Sequence, residues 1–112
     1  MRALDDTFAA LSDPTRRAIL ARLALGEATA TELAEPFDIS QPAISRHLRV
    51  LEEASLIRRQ WKGKHHVCRL DPRALREADE WFEFYRRFWT DALDRPGEYI
   101  GKKERRSHGK NR

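Results

Sequence analysis

The sequence predicts a mainly α fold with one small β-hairpin (α+β), and three observations carry that reading. Apolar residues recur at helical spacing through the first half of the chain, in runs opened by Asp13-Pro14 and by Ser40-Gln41-Pro42. The period then shifts to strand-like segments on either side of Lys62-Gly63-Lys64. A long amphipathic stretch opened by Asp71-Pro72 follows.

Taken in order, Leu4, Phe8 and Leu11 share helical spacing, so Asp5 to Ser12 is expected to form a short first helix. Asp13 is a favourable N-cap, and Pro14 suits the first helical position, where a missing N–H costs nothing. The helix Thr15–Leu25 should bury Ile19, Leu20 and Leu23, and Gly26 should stop it. Thr29 or Thr31 opens a third, short helix around Glu32-Leu33-Ala34-Glu35, closed by Pro36 and a polar turn at Asp38. Ser40 then caps a fourth helix, expected over 41–54. Two short helices joined by so tight a turn form a helix-turn-helix.

The fourth helix separates its chemistry by face. Ile44, Leu48 and Leu51 fall on one side at i, i+4, i+7. Pro42, Ser45, Arg46 and Arg49 fall opposite, with Ser40 and Gln41 at the start. Arg reads guanine bidentately in the DNA major groove, Gln reads adenine, and Ser serves either. The helix therefore reads as a DNA recognition helix. Taken alone, it would equally suit an Arg-rich solvated face; its neighbours decide for DNA. His47, at the edge of the aliphatic side, reads as a hydrogen-bonded core-edge residue.

Ile57–Trp61 reads as a strand, Lys62-Gly63-Lys64 as a turn, and His65–Leu70 as the return strand. Gly63 supplies the positive φ that a tight hairpin needs. Such a hairpin, over 57–70 directly after a recognition helix, is a wing. Its Lys62 and Lys64 would reach flanking phosphates, with Arg59 beside them. Arg46, Arg49, Arg58, Arg59, Lys62, Lys64 and Arg69 cluster in sequence, as a nucleic-acid site requires.

The last helix runs from Pro72 to about Arg95, before Pro96. Leu75, Ala78, Trp81, Phe82, Tyr85, Phe88, Trp89, Ala92 and Leu93 cover one half of it, and charged residues cover the other. A domain this small has little room to absorb so many aromatic side chains. Trp81, Phe82, Tyr85, Phe88, Trp89 and Leu93, completed by Leu4 and Phe8, are therefore the expected homodimer interface, where aromatic residues are enriched.

Charge sharpens the domain plan. Six Lys and Arg against one Glu lie in 101–112, a surplus larger than the whole chain's +4. Residues 1–100 are thus expected to form one DNA-binding and dimerisation domain, and 101–112 a basic, disordered tail. No apolar run approaches the ~20 residues that span a bilayer, and the start does not resemble a signal peptide. With one cysteine, Cys68, the chain forms no internal disulfide, and a cytoplasmic location is expected.

Several linked motifs resemble the ArsR-type winged-helix repressors: Leu11-Ser12-Asp13-Pro14-Thr15-Arg16-Arg17-Ala18-Ile19-Leu20, then Glu32-Leu33-Ala34, then Ser40 through Leu48. Leu51-Glu52-Glu53-Ala54-Ser55-Leu56-Ile57 continues the likeness, with Ser55 where the family usually has Gly. Cys68-Arg69-Leu70-Asp71-Pro72 and Arg87-Phe88-Trp89 look like the branch often encoded beside START-like proteins. The resemblance covers roughly residues 5–95. It implies a homodimeric bacterial transcription repressor paired through its first and last helices.

The family is best known for metal sensing, and here the chain departs from it. It has no Cys around Leu33–Asp38 and no His on the last helix. His65, His66 and Cys68 lie on one strand, whose alternation turns His65 away from the other two. Two ligands on a face do not make a four-ligand zinc site. No metal or cofactor is expected, and Cys68 reads as a buried small apolar residue.

The leading function is sequence-specific binding of double-stranded DNA at a palindromic operator. A small-molecule inducer is left open as a further partner. The alternative is a winged helix used for protein–protein contact or for nonspecific DNA binding. An enzymatic reading has no support: no phosphate-binding glycine loop, no nucleophilic triad and no paired carboxylates outside solvent-facing helix positions are present.

Overall fold

The computed structural model describes residues 2–94, so the expected basic tail lies outside the described residues. Along the chain come α1 (Arg2–Ala10), α2 (Pro14–Leu23), β1 (Ala28–Thr29), α3 (Ala30–Ala34), α4 (Gln41–Glu53), β2 (Ile57–Lys62), β3 (His65–Leu70) and α5 (Pro72–Asp94). The chain divides into two units, Met1–Ala78 and Asp79–Arg112.

The first unit is built where the capping signals place it. Asp13 accepts the Arg16 N–H at 3.0 Å and starts α2, with Pro14 as its first residue. α2 ends at Leu23, two residues before the expected Leu25, and Leu25 stands 85% exposed. Gly26 turns the chain away at φ 145°. Of the two candidate openers of α3, Thr29 is the cap, in a reciprocal box with Glu32.

α1 begins earlier than expected and ends at Ala10, and its inner face differs from the Leu4/Phe8/Leu11 stripe. Thr7 and Ala10 are the buried residues, Leu4 is half-buried and Phe8 is 36% exposed. The Thr7 hydroxyl satisfies itself on the Ala3 carbonyl at 3.0 Å, so a polar residue sits inside without penalty.

The expected hairpin is part of a three-stranded antiparallel sheet, in the order β1-β3-β2. β2 and β3 pair from Ile57↔Leu70 to Lys62↔His65, which leaves only Gly63-Lys64 as the loop. Gly63 takes φ 63° at the first loop position, as a two-residue turn of this kind demands. The added strand is two residues long, with Ala28 opposite Cys68 and Thr29 opposite Val67.

Ile19, Leu33, Ile44, Leu48, Leu51, Leu56, Ile57 and Cys68 are fully buried and form the core joining helices to sheet. Each large aliphatic there contributes about 1.5–3 kcal/mol through burial. α4 ends in a Schellman turn: Leu56 N–H donates to the Leu51 carbonyl at 2.9 Å and Ser55 N–H to Glu52 at 3.0 Å. Ser55 adopts φ 62° to make it, a left-handed conformation that explains why glycine suits this position.

Asp71 is the one buried carboxylate of the unit among the described residues, 3% exposed. Its backbone N–H donates to the Leu56 carbonyl, and its side chain accepts from the Arg73 backbone and guanidinium and from Arg58 Nε at 3.2 Å. These donors, chiefly the Arg73 side chain, hold its carboxyl well below the usual carboxylate range against the opposing effect of burial. A depressed folded-state pKa stabilises the fold above the unfolded value of about 4, and that contribution drains away as pH falls further. Asp71→Asn should therefore cost about 1–3 kcal/mol in urea melts at pH 7. The gap to wild type should narrow as the pH is taken below about 4; a gap independent of pH would refute the charged role.

Candidate nucleic-acid interface

The geometry of the site follows from how α4 is anchored. Ser40 caps it by accepting the Ala43 N–H at 3.2 Å, and Pro42 sits in the first turn. Ile44, Leu48 and Leu51 are at most 1% exposed, so the helix has a fixed inner face. Gln41, Pro42, Ser45, Arg46 and Arg49 are all exposed on its other sides, together with Ser40.

His47 is half-buried at the boundary between those faces. Arg16 Nη1 approaches its Nδ1 at 3.3 Å, and Asp13 Oδ2 lies 3.9 Å away. Arg16 also donates to the Ala10 carbonyl at 2.7 Å and to Ala9 at 3.2 Å. The start of α2 thereby grips α4 from within, and His47 is a packing residue at the core edge.

Most cations of the first unit are already engaged. Arg17 and Arg22 donate to the carbonyls of Leu11 and Gly26. Arg58 and Arg73 share Asp71, and Arg59 is bound to Glu52 of α4 through Nε at 3.0 Å and Nη2 at 2.8 Å. Lys62 reaches Glu27 at 3.1 Å. Among the described residues of that unit, Arg46, Arg49, Lys64 and Arg69 make neither a side-chain hydrogen bond nor an ion pair. Two of those four lie on the outer face of α4 and one at the wing tip.

Of Arg59, Lys62 and Lys64, the three wing residues expected to reach phosphates, Lys64 alone is thus unengaged among the described residues. The Lys62–Glu27 pair is exposed at both ends and would exchange readily for a phosphate. Arg59 is different, with its side chain only 18% exposed. It braces β2 against α4 and neutralises an acidic group on the helix. Sequence spacing could not disclose either pair, since each depends on the fold bringing β2 against α4 or against the loop before β1.

Strand alternation places Cys68 on the core face, fully buried, with its thiol pKa pushed up by burial. His65 is exposed and His66 half-buried. Trp61 is 66% exposed and stacks on His66, ring centroids 4.5 Å apart and planes at 12°.

The second unit presents the aromatic stretch of α5. Trp81 is 40% exposed, Phe82 39%, Tyr85 39%, Phe88 73% and Leu93 37%, while Trp89 is half-buried. Phe84, absent from the stripe read in the sequence, is the most exposed at 81%. It packs edge-on against Tyr85 at 4.9 Å, widening the aromatic face by one row. On the charged half, Arg86 is held by Glu83 at 2.6 Å and Asp79 at 3.1 Å.

Residues 11–60 match a family model described as a helix-turn-helix domain. The chain is 42% identical over 92 residues to the HTH-type transcriptional regulator Rv2034 of Mycobacterium tuberculosis, covering 82% of this chain and 83% of that protein. It is 41% identical over 78 residues to the transcriptional repressor SdpR of Bacillus subtilis, covering 70% of this chain and 87% of the repressor. A crystal structure of an ArsR family transcriptional regulator superposes with a TM-score of 0.73 at 36% identity, over 80% of this chain and 92% of that one.

The Arg59–Glu52 brace makes a quantitative prediction. A double-mutant cycle of Arg59→Ala and Glu52→Gln should return a coupling of about 0.5–1.5 kcal/mol in stability, since the guanidinium is largely buried and donates twice. Additive effects would mean that the pair does not hold the wing.

Proposed function

Since the chain belongs to the ArsR family of winged helix-turn-helix transcriptional regulators, we propose that it acts as a homodimeric repressor, setting two copies of α4 into the major grooves of a palindromic operator. Binding DNA is the family's activity, and the chain is a regulator rather than an enzyme. The observation supporting the finer reading is the set of cations left over. Where Arg16, Arg17, Arg22, Arg58, Arg59 and Arg73 serve the fold, Arg46 and Arg49 serve nothing within it.

In this reading Gln41, Ser45, Arg46 and Arg49 meet base edges, and Ser40 and Pro42 set the helix start against the backbone. Lys64 contacts a phosphate, Lys62 joins it by leaving Glu27, and Arg59 holds the wing in place. Arg69, unengaged on the return strand, adds to the same electrostatic footprint. Among the described residues no helix is long and apolar enough to cross a membrane. A chromosomal target puts the repressor in the cytoplasm.

One recognition helix spans too few base pairs for a unique site, so two copies are required. In the second unit the exposed Trp81, Phe82, Tyr85, Phe88 and Leu93, with the half-buried Trp89, supply a pairing surface; in the first, Leu4 and Phe8 of α1 contribute to pairing.

Two experiments test the proposal. Arg46→Ala or Arg49→Ala should cost about 1–3 kcal/mol of operator binding and relax discrimination at one base pair per half-site. Lys64→Ala should weaken all sequences alike and flatten the salt slope by about one unit. An unchanged ratio of specific to random binding in the Arg variants would remove α4 from the role of reader. Separately, Phe88→Asp would bury an unpaired charge in each subunit of the dimer. It should yield monomers by sedimentation, with the footprint lost; a dimer that still protects the palindrome would refute the interface.

A further inference from the structure

The wing carries an aromatic pair that the reading of DNA contact so far leaves unused. Trp61 and His66 stand directly opposite one another in the β2–β3 register and are stacked nearly parallel. Trp61 lies two residues beyond Arg59 on the same face of β2, about 7 Å further along the strand. That face is tied by Arg59 to Glu52 of α4. Glu52 follows Ser45 by seven residues and Arg49 by three, so it lies on the side of α4 that carries both. The face that carries Ile57 and Cys68 into the core at the base of the hairpin thus continues, at Trp61 and His66, out of the core on the Glu52 side of α4. The turn that joins the two residues carries Lys64, while Lys62 points to the other face and reaches Glu27.

A cross-strand aromatic pair can simply stabilise a hairpin. That role does not require two-thirds of an indole to stay in water at the end of a strand, next to a basic turn. We infer that Trp61, held flat by His66, is a non-ionic DNA contact: it packs against the deoxyribose and base edges of the groove beside the one α4 enters. Flat side chains with few rotatable bonds make such contacts at low entropic cost, and the stack on His66 orders the ring before DNA arrives. Apolar side chains that enter a groove in this way add affinity and sensitivity to groove shape without neutralising phosphate. His66 acts through Trp61 as a positioning residue.

This inference rests on the DNA-binding reading, and its test keeps the two apart. The full chain is labelled with 5-fluorotryptophan, and the Trp61 fluorine resonance is assigned from Trp61→Phe, which keeps a flat ring. Titration with a duplex of random sequence, and then with the footprinted operator, should shift or broaden that resonance in step with binding. Trp61→Ala should weaken duplex binding roughly tenfold at every salt concentration with the salt slope unchanged, because no counterion is released at an indole. His66→Ala should give a smaller loss that is not additive with it. A chain that binds no duplex at all would fail the DNA reading itself. A chain that binds normally while the Trp61 resonance stays in place would overturn this inference alone. So would a resonance that moves with protein concentration in the absence of DNA, which would assign the pair to protein contact.

Discussion

The outer face of α4 takes its direction from its inner one. Ile44, Leu48 and Leu51 are buried beneath the helix as completely as any residues in the molecule. Turning the helix by one position, roughly 100°, would carry this stripe into water and lose about 1.5–3 kcal/mol per side chain. Arg46 and Arg49 point outward because nothing else is compatible with that burial. The grip of Arg16 on His47 and the Schellman turn at Ser55 fix the same helix at its flank and its end.

Charge is arranged around this anchor by allocation rather than by excess. The cations of α2, of the Asp71 cluster and of β2 are engaged by carbonyls and carboxylates of the fold itself. Pairing Glu52 with Arg59 also removes a negative charge that would oppose a phosphate backbone near Ser45 and Arg49. What remains positive is concentrated where a groove-sized partner can meet it, so a body of almost neutral composition still presents a directed field.

The capped elements were legible from residue type alone. Asp13-Pro14, Ser40 before Pro42, and Gly63 each have a local physical meaning that no tertiary contact overrode. β1 was not legible, because two residues carry no period; Ala28 and Thr29 are strand only by pairing with Cys68 and Val67. The burial of Thr7 in place of Phe8 depended on a hydroxyl closing onto its own helix. In the site, the outward residues of α4 could be read from periodicity. The commitments of Arg59 and Lys62 could not, since their partners lie 7 and 35 residues away. Phe84 escaped the stripe because it sits one row outside the strict helical repeat, although its neighbour Tyr85 lies within it.

Thr29 is at once the last residue of β1, paired with Val67 of β3, and the N-cap whose side chain begins α3. The base of the wing and the first helix of the helix-turn-helix are therefore spliced at a single residue. Ile57 to Gln60 and their partners on β3 are locked into that splice, while the tip beyond them, held together by the Trp61–His66 stack, meets the rest of the first unit among the described residues through the surface pair of Lys62 with Glu27. Length can consequently vary at Gly63-Lys64 without disturbing the reading head, whereas one residue inserted nearer the base would slip the register, turn Cys68 out of the core and unseat the α3 cap. A longer wing is thus accommodated by growing the hairpin outward at its tip rather than by moving its base.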